Sequence, residues 1–382
     1  MIFTVDMKAL SGALALAGKV IETKSTLPVI LNVRIATNDN RITLTGTNLD
    51  TTFEAVVPAE VATEGVTAVP FATLAAFCSA AKGERLTFEA KGYQVTVKSG
   101  RSRITLAAID AADFPLMAAP PGDLVAVDVP TFTSALSFCA AAASDEEVRY
   151  YLNGPYLQET AEGAVIWGTD GHALHRAELP GLPSCGGGAI IPKDAVSMIL
   201  SICDKATEAR VLVTGRGWMV SAGDLRAWGK VIDGSFPNMV ALLSSFRDWQ
   251  HFIRIGKDEL TSALTVAGCG SDTMEKRSKA MIIKGQEGAP LIVRGSKAAS
   301  GVISAGRAET MTPCDGNAAL CVSSELLRRA ITAMGEPEIA LAASDRYGTS
   351  AVQVEPVQTN SAVRKMALIM GIRASEQELA EA

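Results

Sequence analysis

Paired cysteines, aromatic side chains, histidine and long apolar runs are all scarce in this chain of 382 residues, and each scarcity excludes something. Seven cysteines, at 78, 139, 185, 203, 269, 314 and 321, form no CxxC pair and make an odd count. Neither a disulfide framework nor a zinc ribbon is expected, and a reducing compartment fits. No apolar run reaches the roughly 18 residues that a membrane-spanning helix needs. The N-terminus, MIFTVDMK, alternates apolar and polar residues at once, with no basic segment leading into an apolar one. A cytoplasmic chain is therefore expected, neither secreted nor inserted in a membrane. Basic charge is short as well: the net charge is −6. A tight monomeric coat protein of nucleic acid would be basic, because phosphate neutralisation supplies its affinity. A chain whose basic residues are segregated on one surface escapes that argument.

Catalytic signatures are missing too. There is no GxSxG elbow, no phosphate loop with its lysine, and no GxGxxG after a strand. GCGS at 268–271 and CGGG at 185–188 lack that context and read as turns. With aromatics at 5% and hydrophobic residues at 48%, the cores must be built from aliphatic side chains, and the length suggests two or three of them.

What the chain does have is an internal period. A short apolar strand ends in a helix-starting residue and an apolar-periodic helix follows: FTVD-MKALSGAL, TAVP-FATLAAFC, VDVP-TFTSALSF, AIIP-KDAVSMIL, IRIG-KDELTSAL and LCVS-SELLRRAI. The junctions are Asp6, Pro70, Pro130, Pro192, Gly256 and Ser323, spaced by 64, 60, 62, 64 and 67 residues. Asp and Ser are good N-caps, Gly is tolerated there, and Pro is favoured at a helix start. Eight residues past each junction stands Leu14, Cys78, Phe138, Leu200, Leu264 or Ile331. Four residues past it stands Leu10, Leu74, Val196, Leu260 or Leu327, with Ser134 the polar exception. Positions so spaced share one helical face.

After each helix come short alternating stretches that break at Asn, Asp and Gly, such as NVRIATNDNRITLTG and ARVLVTGRGWMVSAG, as half-buried antiparallel strands do. The second and fourth repeats end alike, in AIDAADFP and VIDGSFP. Two repeats per domain predict an α+β fold of three tandem domains, 1–122, 123–248 and 249–373, followed by an acidic tail, 374–382. A solenoid is an alternative, but its units usually run about 20–50 residues without sheets of their own.

Like domains joined head to tail curve, and close where the rotation permits. Two such chains supply twelve helices. At about 10 Å between axes, the circle is roughly 120 Å round and 38 Å across. Removing one helix diameter leaves an opening of roughly 27 Å, wide enough for a duplex. Lys8, Lys19 and Lys24 lie in or after the first helix, and Lys82, Lys193, Lys205, Lys257, Arg328 and Arg329 lie in or beside later ones. They read either as a phosphate-facing surface or as an ordinary solvated helix face.

At this point particular stretches resemble a known family: STLPVILNV (25–33), LTGTNLDTTFEA (44–55), VKSGRSRITLAAIDAADFP (97–115), EVRYYLNGPYLQ (147–158), TDGHALH (169–175), IIPKDAV (190–196) and KVIDGSFPNMVALL (230–243). In order and spacing they resemble the β subunits of bacterial DNA polymerase III, the sliding clamps. The resemblance implies three clamp domains closing into a ring as a head-to-tail homodimer around double-stranded DNA. It implies an accessory role without an active site or cofactor, and a clamp loader that opens the ring. It also implies tethering of the polymerase catalytic subunit and other proteins through a hydrophobic cleft for short peptides. Carried over by motif, the cleft comprises Leu152, Thr169, Gly171, His172, Leu174, Pro237, Leu242, Leu368, Met370, Ile372 and Arg373. DNA contacts fall on Lys24, Lys82, Arg149, Tyr151 and Lys193, and the subunit interface on Ile104, Leu106 and Cys269. Replacing Met370 or Leu174 by a charged residue is expected to abolish peptide binding without unfolding the chain.

The chain departs from the family pattern in places. Ala173 stands where Arg usually follows the His of TDGH, Gly371-Ile372 replaces Pro-Met in the C-terminal motif, and Glu146 takes the place of Gln. These departures leave open a specialised clamp, serving a repair polymerase or carried by a mobile element. A reading of another class, a metal-dependent enzyme using Asp170, His172 and His175, rests on the string D-x-H-x-x-H. In a strand–turn–strand segment, however, His172 and His175 point to opposite faces.

Overall fold

The computed structural model describes residues 1–182, 188–246, 249–268, 280–295, 307–313, 315, 318–344, 351–357 and 363–372. It is an α+β chain with antiparallel sheets, and seven α-helices lie among the described residues: α1 (Met7–Ala17), α2 (Phe71–Ala80), α3 (Val129–Ala140), α4 (Lys193–Cys203), α5 (Met239–Ser245), α6 (Lys257–Gly268) and α7 (Ser324–Met334). All but α5 are the repeat helices read from the sequence.

Junction chemistry accounts for where they start. The Asp6 side chain accepts from the Ala9 N–H at 2.8 Å and the Ser323 side chain from Leu326, while Pro70 and Pro192 stand at the N-caps of α2 and α4. α3 begins at Val129, so Pro130 falls inside its first turn, where the missing N–H would have had no helical partner. The expected apolar faces are buried, with one correction: Leu200 is only half-buried, and α4 turns Val196, Ile199 and Cys203 inward instead. Hairpins close where the sequence breaks, as at Asp39 and Asn40, both left-handed (φ 46° and 57°) between the strands Asn32–Asn38 and Arg41–Thr47.

Contacts divide the chain into two compact units, Met1–Val129 with Pro183–Val231, and Pro130–Leu182 with Ile232–Ala382. In the first, the 13-residue strand Thr51–Thr63 serves three neighbours, one of them Arg41–Thr47 through residues 52–58. Its C-terminal half pairs with Ile2–Asp6 and its N-terminal half with Leu225–Gly229, which makes one sheet of segments far apart in sequence. Arg226 with Glu54, and Lys230 with Asp50 at 2.8 Å, pair across that junction. In the second unit, strands run in the order Tyr156–Thr160, Gly163–Thr169, Ala173–Pro180, Arg364–Met370, Ala351–Pro356, Glu338–Ser344 and Trp249–Gly256. A separate sheet orders Arg307–Pro313, Pro290–Gly295, Ala280–Gly285 and Ala318–Ser323. No described helix is long and apolar enough to cross a membrane.

Candidate functional site

The described members of the predicted cleft all lie in the second unit, and a hairpin turn organises them. Between the strands Gly163–Thr169 and Ala173–Pro180, residues 170–172 reverse the chain. Buried Thr169 donates its hydroxyl to the Ala173 carbonyl at 2.7 Å and accepts from the Gly171 N–H at 3.0 Å. Asp170 Oδ1 accepts from the N–H groups of His172 and Ala173 at 2.9 and 2.8 Å. Gly171 sits at φ +88°, a conformation that favours glycine, and the Arg149 guanidinium lies over it.

The strand Arg364–Met370 pairs alongside, with Leu174 opposite Leu368, and beyond its last register pair the Met370 N–H donates to the His172 carbonyl at 2.9 Å. Beneath lies an apolar cluster of Val165, Trp167, Leu174, Met239, Ala351, Met366 and Leu368, against which Phe236, Leu243 and Trp249 pack. α5 is capped by Asn238, whose side chain accepts from Ala241. It lowers Met239 and Leu243 onto the cluster and leaves Leu242 39% exposed. Met370 is 37% exposed and Pro237 is exposed, whereas Leu174 and Leu368 are each 2% exposed and form the floor. Leu152, 4% exposed, is fixed by its carbonyl, which accepts from Ser144 at 2.9 Å. Ile372 is half-buried and donates its N–H to Cys321 at 2.8 Å; Arg373 lies outside the described residues. The site is thus an apolar floor with partly exposed apolar side chains around it, an arrangement suited to short peptides.

Two of the residues read as DNA contacts turn out to be engaged here. Arg149 lies over Gly171 and pairs with Glu146 at 2.9 Å, so its charge is locally answered. Tyr151 is half-buried, edge-on to Tyr150, and fills the space a Cβ at Gly234 would need. Sequence spacing does not reveal the direction of a guanidinium, which is why Arg149 was not read with the cleft. Lys24 and Lys82 are exposed just past the ends of α1 and α2, and Lys193 opens α4 half-buried. Arg329, counted among the helix-borne basic residues, is turned inward onto Asp170. At the predicted interface, Ser102–Ala107 is indeed the outermost strand of its sheet. Ile104 is half-exposed, but Leu106 is 3% exposed and packs into its own core. Cys269 lies outside the described residues.

Asp170, His172 and His175 do not converge. His172 is exposed in the turn. His175 is fully buried, stacked on Phe138 with ring centroids 4.4 Å apart, and its Nδ1 lies 2.7 Å from the Phe138 carbonyl. A carbonyl only accepts, so Nδ1 carries the proton. Burial pushes the His175 pKa down to about 4, against the Phe138 hydrogen bond and with help from the Arg329 charge. Burial opposes the charge on Asp170, but Arg329 and the two backbone N–H groups outweigh it and hold the carboxyl below its ordinary range.

Residues 1–118 match the family described as the DNA polymerase III beta subunit, N-terminal domain, and residues 126–238 match its central domain. The chain belongs to the DNA polymerase III beta subunit family. Among its relatives, the beta sliding clamp of Caulobacter vibrioides (strain NA1000 / CB15N) is 28% identical over 272 residues, 68% of this chain and 73% of that protein. That of Pseudomonas aeruginosa is 29% identical over 247 residues, 63% and 67% of the two chains. Likeness of fold reaches further. The crystal structure of the Pseudomonas aeruginosa DNA polymerase III subunit beta superposes with a TM-score of 0.86 at 21% identity, covering 98% of this chain and all of that one. A Bacillus subtilis DNA polymerase sliding clamp gives 0.87 at 16% identity with the same coverage. The likeness of fold thus covers more of the chain than residues 1–118 and 126–238, which match the family's two domains.

Proposed function

We propose that two copies of this chain close head to tail into a ring that encircles double-stranded DNA without reading its sequence. The ring tethers a polymerase catalytic subunit and other proteins through the apolar cleft, and a clamp loader opens it. Membership of the beta subunit family across residues 1–118 and 126–238 carries this reading. The cleft would be formed by Leu152, Thr169, Gly171, His172, Leu174, Pro237, Leu242, Leu368, Met370, Ile372 and Arg373. Phosphate contacts would come from Lys24, Lys82, Arg149, Tyr151 and Lys193, and the subunit contact from the edge strand at Ile104 and Leu106 together with Cys269. Three domains, 1–122, 123–248 and 249–373, remain the repeat-based division. The chain would act in the cytoplasm, as a processivity factor without chemistry of its own. The direct test is topological: the ring should remain on closed circular DNA and leave linear DNA by its ends. Equal retention on both would refute encirclement.

A specialised clamp is the second reading, favoured by Ala173. At 2% exposure, this residue leaves no cation at the position that follows the His of the turn. Its mark would be weak affinity for a replicative polymerase's clamp-binding peptide.

A further inference from the structure

One ion pair in the second unit joins the cleft turn to the helix α7. Arg329 Nη2, from α7, donates to Asp170 Oδ2 at 2.5 Å. The other carboxylate oxygen, Oδ1, is the one that caps the turn through the N–H groups of His172 and Ala173. The carbonyl of His172 in turn accepts from Met370. A continuous chain of polar contacts therefore runs from the helix, through both oxygens of one carboxylate, to the backbone of the most exposed apolar residue of the strand Arg364–Met370. The same helix holds that strand from below. The buried Lys365 Nζ donates to the Met334 carbonyl, in the last turn of α7, at 2.7 Å. α7 thus makes a polar contact both with the turn and with the strand beside it.

The pair is not placed for surface stability. The side chains of Arg329 and Asp170 are only 30% and 17% exposed, and Arg329 Nε is buried with no hydrogen-bond partner among the described residues. Desolvating a guanidinium and leaving one donor unmet is unfavourable, and an apolar pair of the same volume would be as stable or more so. What the pair supplies is geometry, because a carboxylate gripped on both oxygens cannot rotate. Neighbouring Arg328 is exposed, so the helix spends only one of its two guanidinium groups in this way.

We propose that Arg329, acting through Asp170, is a positioning residue of the peptide cleft: it sets the turn 170–172 and, through it, the place of Met370. The proposal rests on the cleft reading above. It is tested in the full-length chain with Arg329→Met, Asp170→Asn and the double variant. Asp170→Asn keeps the shape and the capping oxygen but loses the charge, so it guards against a failure to fold in Arg329→Met. The probe is a fluorescein-labelled heptapeptide selected from a display library on the wild-type chain and not retained by Met370→Lys. Each single variant should weaken its binding about tenfold and the double variant no further, since both remove one interaction. Arg329→Lys should recover part of the affinity, retention on circular DNA should not change, and amide exchange at His172 and Met370 should quicken in the free protein. Wild-type affinity in folded Arg329→Met, or losses that multiply in the double variant, would overturn the proposal. Should the library yield no Met370-dependent peptide on the wild type, the cleft reading itself fails. The exchange rates would still report whether Arg329 holds the turn.

Discussion

The family resemblance assigns Met370 and Leu174 alike to the proposed cleft, and the structure gives them opposite surroundings, Leu174 buried and Met370 partly exposed. Leu174 is a floor residue in the apolar cluster, so a charge there has no water to face and no partner. Because Leu174 is buried, Leu174→Asp should destabilise the second unit by about 3–5 kcal/mol, in place of the expectation from sequence that it would spare the fold. Met370→Lys and Leu242→Asp place their charges at partly exposed positions. They should abolish peptide binding while the melting temperature moves little; a melting curve and a peptide titration on each variant check both statements. His175 carries a pH signature. Its folded pKa, about 4, lies below the ordinary 6.5, so the unfolded chain takes up the proton first. The associated stability is complete above about pH 6.5 and is lost as pH falls towards 4, by roughly 3 kcal/mol in all. His175→Gln should flatten the melting temperature across that window; an unchanged slope would show that other groups govern it.

At the scale of elements, the six helix starts were readable because a cap is a local matter: one side chain and the N–H groups of the next turn. Ser323→Ala should lower stability by about 1 kcal/mol, measured by denaturant titration, through loss of the hydrogen bond to Leu326. Which helix face goes inside was readable where the buried arc is narrow and misread in α4, where Ala195, Val196, Met198, Ile199, Ile202 and Cys203 are all buried. On so wide an arc, a spacing rule picks no unique residue. α5 is not legible in the sequence because seven residues carry too little periodicity, although it sets Met239 and Leu243 on the apolar cluster and leaves Leu242 partly exposed.

At the scale of the whole molecule, pairings between distant segments dominate. Thr51–Thr63 joins Leu225–Gly229, and Ala173–Pro180 joins Arg364–Met370. These sheets end in edges such as Ser102–Ala107, and an edge strand is a template for pairing with another chain. The full-length chain is accordingly expected to be a dimer at micromolar concentration by light scattering; a strictly monomeric mass would count against the ring.

The repeats and the α+β class were determined by the sequence alone, because caps and alternation act over a few residues; the proposed cleft came from the family resemblance of short motifs. Tertiary structure decided the rest: that Leu174 and Leu106 face inward, that Arg149 covers Gly171, and that Arg329 grips Asp170 across 159 positions of chain. Such contacts depend on how sheets bring remote segments together and on which way a long side chain then points, and no local pattern of residues encodes either.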